Sequence, residues 1–99
     1  MKNRESGVSG ATLDLALIGH ALTVQQVSAP QLAPEWARWL QEIGFIAGES
    51  VMLMARGLPG GDPLVIRIGQ STFALRRAEA ACVRVTSVNH AEDLAERRA

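Results

Sequence analysis

The sequence predicts a mainly β fold: a small five-stranded β-barrel with one helix, at about residues 34–43, inserted between strands 1 and 2. Three observations predict it. Short apolar runs recur at 22–28, 51–55, 64–68, 72–75 and 82–88, most of them alternating as half-buried strands do. Turn chemistry separates them, densest at Leu58-Pro59-Gly60-Gly61-Asp62-Pro63 and tightest at Gly69-Gln70. A single helical face interrupts the series, with Trp36, Trp39, Leu40 and Ile43 at i, i+3, i+4 and i+7. Strands this short close best as a small barrel.

Taken in order, Thr12 can cap a short helical turn that sets Leu13, Ala16 and Leu17 on one side, and Gly19 ends it. Leu22–Ser28 is the first strand, with Leu22 and Val24 on one face. Pro34 and Glu35 suit a helix start, and Gly44 with Phe45 behind it suits a left-handed stop. That helix is expected to cover one mouth of the barrel. In the second strand Val51, Leu53 and Ala55 alternate with Met52 and Met54, so both faces are apolar. Either both are covered or one is a contact surface. Pro63 makes Asp62 extended and leads into Leu64–Ile68. Phe73 and Leu75 mark the next strand, Arg77–Ala81 reads as a helical turn, and Val83 and Val85 share a face of the last strand.

The length of 99 residues fits one domain. The folded part is expected at 12–88, between a polar N-terminal tail, 1–11, and a charged C-terminal tail, 89–99. In that second tail Asn89 and Glu92 have capping-box spacing, so it can form a helix. A core of this size buries about 60 % of the unfolded surface, enough to fold alone with little margin. Ten basic residues balance ten acidic ones, but from Arg56 to Val88 five arginines face only Asp62 and Glu79. That half is either a solvated surface or a face for an acidic partner. Cys82 is the single cysteine, which excludes an intramolecular disulfide and fits a reducing compartment. No secretory leader pattern and no apolar run of spanning length is legible, so a cytoplasmic location is expected.

Catalytic chemistry is not legible. Neither His20 nor His90 neighbours a nucleophile motif, the carboxylates are scattered, and no phosphate-binding loop of the G-x-x-x-x-G-K-[ST] type is present. No enzyme activity is expected. His20, His90 and Cys82 lack metal-ligand spacing; His90 and Asp93 would make half a site on one helical face. The expectation is therefore no cofactor and no structured metal site, with His20, His90 and Asp93 as weak candidates for an adventitious or interface metal. Cys82 reads as a small buried hydrophobe. Trp36 and Trp39 could be an interface hot spot or helix-to-barrel packing, and Met52 and Met54 an adaptable surface or core.

The segment Leu40-Gln41-Glu42-Ile43-Gly44-Phe45-Ile46-Ala47-Gly48-Glu49-Ser50-Val51 resembles the signature L-x-x-(L/I)-G-(F/L)-x-x-G-x-x-V of FeoA proteins. Gly61-Asp62-Pro63-Leu64 and Phe73-Ala74-Leu75-Arg76-Arg77-Ala78-Glu79-Ala80 resemble that family's second half, so the likeness runs over 12–88. One position departs: Trp39 stands where the family usually has a polar or basic residue. The resemblance implies an SH3-like barrel and a cytoplasmic accessory protein of bacterial ferrous-iron uptake. It implies a non-catalytic, protein-binding module on the FeoB-type membrane transporter, through that partner's cytoplasmic G-protein domain. The chain would then lie at the inner membrane only through its partner. Arg76, Arg77, Met52, Met54 and Trp39 are the expected contact set. The Met strand and the hairpin edges could also support a homodimer. The alternative is a small-barrel regulator or nucleic-acid-associated domain related to the C-terminal domain of metal-dependent repressors. Neutral charge and scarce aromatics weigh against nucleic acid.

Overall fold

The computed structural model describes residues 9–88. The expected C-terminal helix, with His90 and Asp93 on it, lies outside that range. Six antiparallel strands form one sheet: β1 Ser9–Thr12, β2 Leu22–Val27, β3 Ser50–Arg56, β4 Leu64–Ile68, β5 Ser71–Leu75 and β6 Val83–Ser87, in the order β1-β6-β2-β3-β4-β5. Helix α1, Glu35–Glu42, sits between β2 and β3, and the four-residue α2, Arg77–Ala80, between β5 and β6.

The sixth strand corrects the expected five. Ser9–Thr12 pairs with β6, Ala11 opposite Val85 and Thr12 opposite Arg84. Its first three residues belong to the stretch, 1–11, expected to be tail. The segment has no large apolar residue, so hydrophobic alternation cannot announce it; backbone pairing alone makes it a strand. Thr12 then stands at the N-cap of a 3-10 turn, Leu13–Leu15, and its hydroxyl bonds the Asp14 carboxylate rather than the helical backbone. Because the turn is only three residues long, Leu13 is buried while Leu17 faces solvent, not on Leu13's side as expected.

Three of the five ladders carry a register shift: β1–β6, β2–β6 between Val24 and Gln26, and β3–β4 between Leu53 and Ala55. Each bulge bends its strand and adds twist, which curls the sheet around its core. β1 and β5 are left as edges, and α2 packs against both β5 and the 3-10 turn in the gap between them.

The core follows the alternation. Val51 and Leu53 of β3 point inward with Leu64, Ile66 and Ile68 of β4, Leu75 of β5 and Val83 and Val85 of β6. From α1 only Leu40 is fully buried, with Trp36 and Ile43 packed at the edge. Phe45, fully buried, plugs the end of that helix. Its N–H donates to the Leu40 carbonyl at 3.0 Å and the Gly44 N–H to the Gln41 carbonyl at 3.1 Å, the paired bonds of a Schellman stop. Gly44 has φ +125, which a side chain would strain. Among the described residues no polar or charged side chain is buried.

Candidate functional site

Among the described residues the only buried titratable group is the Cys82 thiol, so binding chemistry is sought on the surface. Three hollows hold the residues singled out from the sequence. The first lies along α1. Pro34, in helical conformation, starts the helix, and the Schellman stop ends it after two turns. Leu40 therefore faces the core and Trp39 faces outward, 38 % exposed. Beside it runs a groove of about 400 Å³ lined by Glu35, Trp36, Arg38, Trp39, Glu42 and Glu79. Glu79 comes from α2, and its Oε1 accepts the Arg76 backbone N–H at 2.8 Å, which fixes that carboxylate toward the helix start.

A second hollow, about 470 Å³, opens on the outer face of β3. Gly19, His20, Ala21, Met52, Ser87 and Val88 line it. Met52 also lines a smaller neighbour of about 200 Å³ with Arg67. Those two residues are cross-strand partners. Met54, beyond Met52 at the β3–β4 bulge, is 39 % exposed. The Met face is thus partly covered at Met52 and open at Met54.

The third is a corner where the 57–63 loop meets α2. The Arg77 N–H donates to Asp62 Oδ1 at 2.9 Å, and its guanidinium reaches the Gly60 carbonyl at 3.4 Å. A hollow of about 250 Å³ there is lined by Asp62, Pro63 and Arg76. The loop is tight: a Cβ on Gly57 would stand 2.8 Å from the Asp62 carbonyl oxygen. It is a hairpin connection, as its sequence suggests, not a phosphate cradle.

The expected contact residues are therefore spread: Trp39 in the first hollow, Met52 in the second, Arg76 in the third, with Met54 and Arg77 exposed nearby in sequence. The basic half is also less free than its composition suggests. Arg56 is half-buried and donates through Nη2 to the carbonyls of Asp14 and Ala16, both at 2.9 Å. It clamps the 3-10 turn segment onto β3 and so presents Leu15, Leu17 and Ile18, which are 72 %, 65 % and 55 % exposed. Nothing in the sequence marks Arg56 as a clamp, because its partners are backbone carbonyls about forty residues away. The acidic rim around the tryptophans was missed as well. Glu35 and Glu42 are legible at helical spacing from Trp39, but Glu79 joins them only through the fold.

Cys82 is 6 % exposed and its thiol donates to the Ala78 carbonyl at 3.5 Å. Burial, then the negative charges of Glu79 and Asp14, push that thiol above the ordinary value of 9.0. That is the environment of a structural cysteine rather than a nucleophile. His20 is exposed on the rim of the second hollow. Among the described residues no group of three or more His, Cys, Asp and Glu side chains converges as a metal site would need.

Comparison with known proteins places this architecture. FeoA of Stenotrophomonas maltophilia, solved in complex with zinc and described as a prokaryotic SH3 domain protein and candidate activating factor of ferrous-iron transport, is 38 % identical. The match covers 75 % of this chain and 87 % of that one, with a TM-score of 0.68. Iron(II) transport protein A of Clostridium thermocellum is 27 % identical over 78 % of this chain and 45 % of that one, TM-score 0.66. A manganese-dependent transcriptional repressor matches at 23 % identity over 80 % of this chain and 42 % of its own, TM-score 0.67, a likeness of fold alone. No curated protein matches the sequence. The family model for the FeoA domain matches residues 11–87, and with an SH3-like sheet beneath that match the chain belongs to the FeoA domain family.

Proposed function

We propose that this chain is a non-catalytic docking module of bacterial ferrous-iron uptake, and that it binds the cytoplasmic G-protein domain of an FeoB-type transporter. The observation that carries this reading is the FeoA domain match over residues 11–87, supported by 38 % identity to a solved FeoA described as a candidate activator of that transport. The surface is consistent with it. Among the described residues the core is apolar, with no buried polar or charged side chain, and what varies over the surface is shape, charge and exposed apolar side chains. Such a body can bias a two-state partner only by contacting its two states differently. It works in the cytoplasm and reaches the membrane through its partner. The contact set is Arg76 and Arg77 with Met52, Met54 and Trp39.

Co-purification with the full-length transporter in detergent tests it. The wild-type chain is expected to be retained, and Arg76→Glu with Arg77→Glu to be lost. The backbone bonds at this corner, Arg76 N–H to Glu79 and Arg77 N–H to Asp62, do not depend on the guanidinium groups; only the 3.4 Å Arg77 contact to the Gly60 carbonyl is lost, so an unchanged circular dichroism spectrum is expected. Retention of the double variant at wild-type level removes the arginine corner from the interface. Failure of the wild type to be retained removes the proposed function.

A further inference from the structure

The α1 groove carries an excess of carboxylates, whereas the hollow at the arginine corner sets Arg76 beside Asp62. Its floor is two indoles one turn apart, Trp36 and Trp39. Its rim carries three carboxylates, Glu35, Glu42 and Glu79, against one cation, Arg38; three negatives and one positive leave a net charge of −2. The carboxylates stand on different sides. Glu35 lies a turn before Trp39 and Glu42 a turn after it, while Glu79 reaches in from α2 with one oxygen already holding the Arg76 N–H. We propose that this groove receives an arginine side chain from a basic segment of the partner protein.

Each alternative occupant fails on charge or solvation. An acidic segment meets a rim of its own sign. A purely apolar segment would cover the indoles but strip water from the Glu35 and Glu42 carboxylates without replacing it, which costs more than the apolar contact returns. A cation satisfies both parts at once, over an indole face and between carboxylates. Arginine suits this better than lysine: its planar fork can bond a carboxylate through two N–H groups while stacking on the indole, and it sheds water more easily. The groove, about 400 Å³ and open to solvent, accepts a long side chain without rearrangement of the helix.

That the segment belongs to the transporter rests on the function proposed above; the preference of the groove for a cation does not. The two are separated by using a small probe on the full chain. A blocked tri-arginine peptide is expected to shift the indole N–H signals of Trp36 and Trp39 saturably, while the isosteric tri-citrulline peptide leaves them in place. Glu35→Gln with Glu42→Gln is expected to weaken tri-arginine binding about tenfold, and Trp39→Leu to remove the preference for tri-arginine over tri-lysine. All three positions are exposed, so these variants are expected to keep the backbone spectrum of the wild type. Equal shifts from tri-citrulline, or unchanged binding by the double glutamine variant, overturn the proposal. Indole shifts that follow the protein's own concentration and ignore the peptide assign the groove to a second copy and overturn it too. If the peptide binds and the transporter does not, the groove stands and the docking partner falls. If the transporter binds and tri-arginine does not, the groove falls and docking stands.

Discussion

Cys82, read from the sequence as a small buried hydrophobe, and Arg56, read as part of a basic surface, are both used by the fold. The Cys82 thiol is held protonated by burial and by the negative charges of Glu79 and Asp14. Its pKa in the folded chain is raised, so above 9.0 the unfolded chain gives up the thiol proton while the folded chain keeps it. The unfolded state then binds fewer protons, and stability falls as pH rises from the ordinary thiol value through the raised one; below 9.0 the contribution is intact. Urea midpoints of the wild type and Cys82→Ala are expected to stay parallel from pH 6 to 8 and to converge or cross above pH 9, with the wild type falling faster. Parallel curves throughout would contradict the assignment. Arg56 supplies two bonds to backbone carbonyls from a half-buried position. Arg56→Ala is expected to cost about 1–3 kcal/mol. The amides of residues 16–20 should then exchange faster while those of β4 hold, as hydrogen exchange would record.

At the scale of elements, helix α1 is the part most completely written in the sequence. The Trp36, Trp39, Leu40, Ile43 spacing and the Gly44-Phe45 stop predict its face and its end, and the structure moves each boundary by one residue, to Glu35–Glu42. Gly44→Ala tests the stop. It forces a Cβ into φ +125 and brings it within 3.5 Å of Ile68, so a loss of about 1–2 kcal/mol is expected in denaturant unfolding. The hairpins were legible for the same reason, since their turns carry residues that little else accommodates. β1 was not legible, because a strand held by its backbone leaves no apolar period. The bulges were equally silent, and they set where side chains such as Met54 point. The candidate site was only half legible: Trp39 announces itself by type, whereas Glu79 and Arg76 reach their places through contacts formed by α2. A chain beginning at Leu13 lacks β1 and its ladder to β6. It is expected to melt at least about 4 °C below a chain beginning at Ser9, the shift that a loss of 1 kcal/mol produces in a domain this small. Equal melting would make β1 dispensable.

For the molecule as a whole, three properties bear on the docking role proposed above. The core is wholly apolar among the described residues, the sheet is curled by its own bulges, and the α1 groove carries an excess of carboxylates. No helix among the described residues is long and apolar enough to cross a membrane. If the proposed docking holds, the salt dependence of binding reports how much of the contact is charge. Raising ionic strength should weaken the complex mainly through faster loss of the rim pairs, while the Met and Trp contacts persist. The most direct measurement is equilibrium binding of the purified full chain to the full-length FeoB-type transporter reconstituted in lipid nanodiscs, with empty nanodiscs as the control. Saturable binding to the transporter alone, weakened by Arg76→Glu with Arg77→Glu, is the predicted result. Equal signal from empty nanodiscs, or none from the transporter, would contradict it.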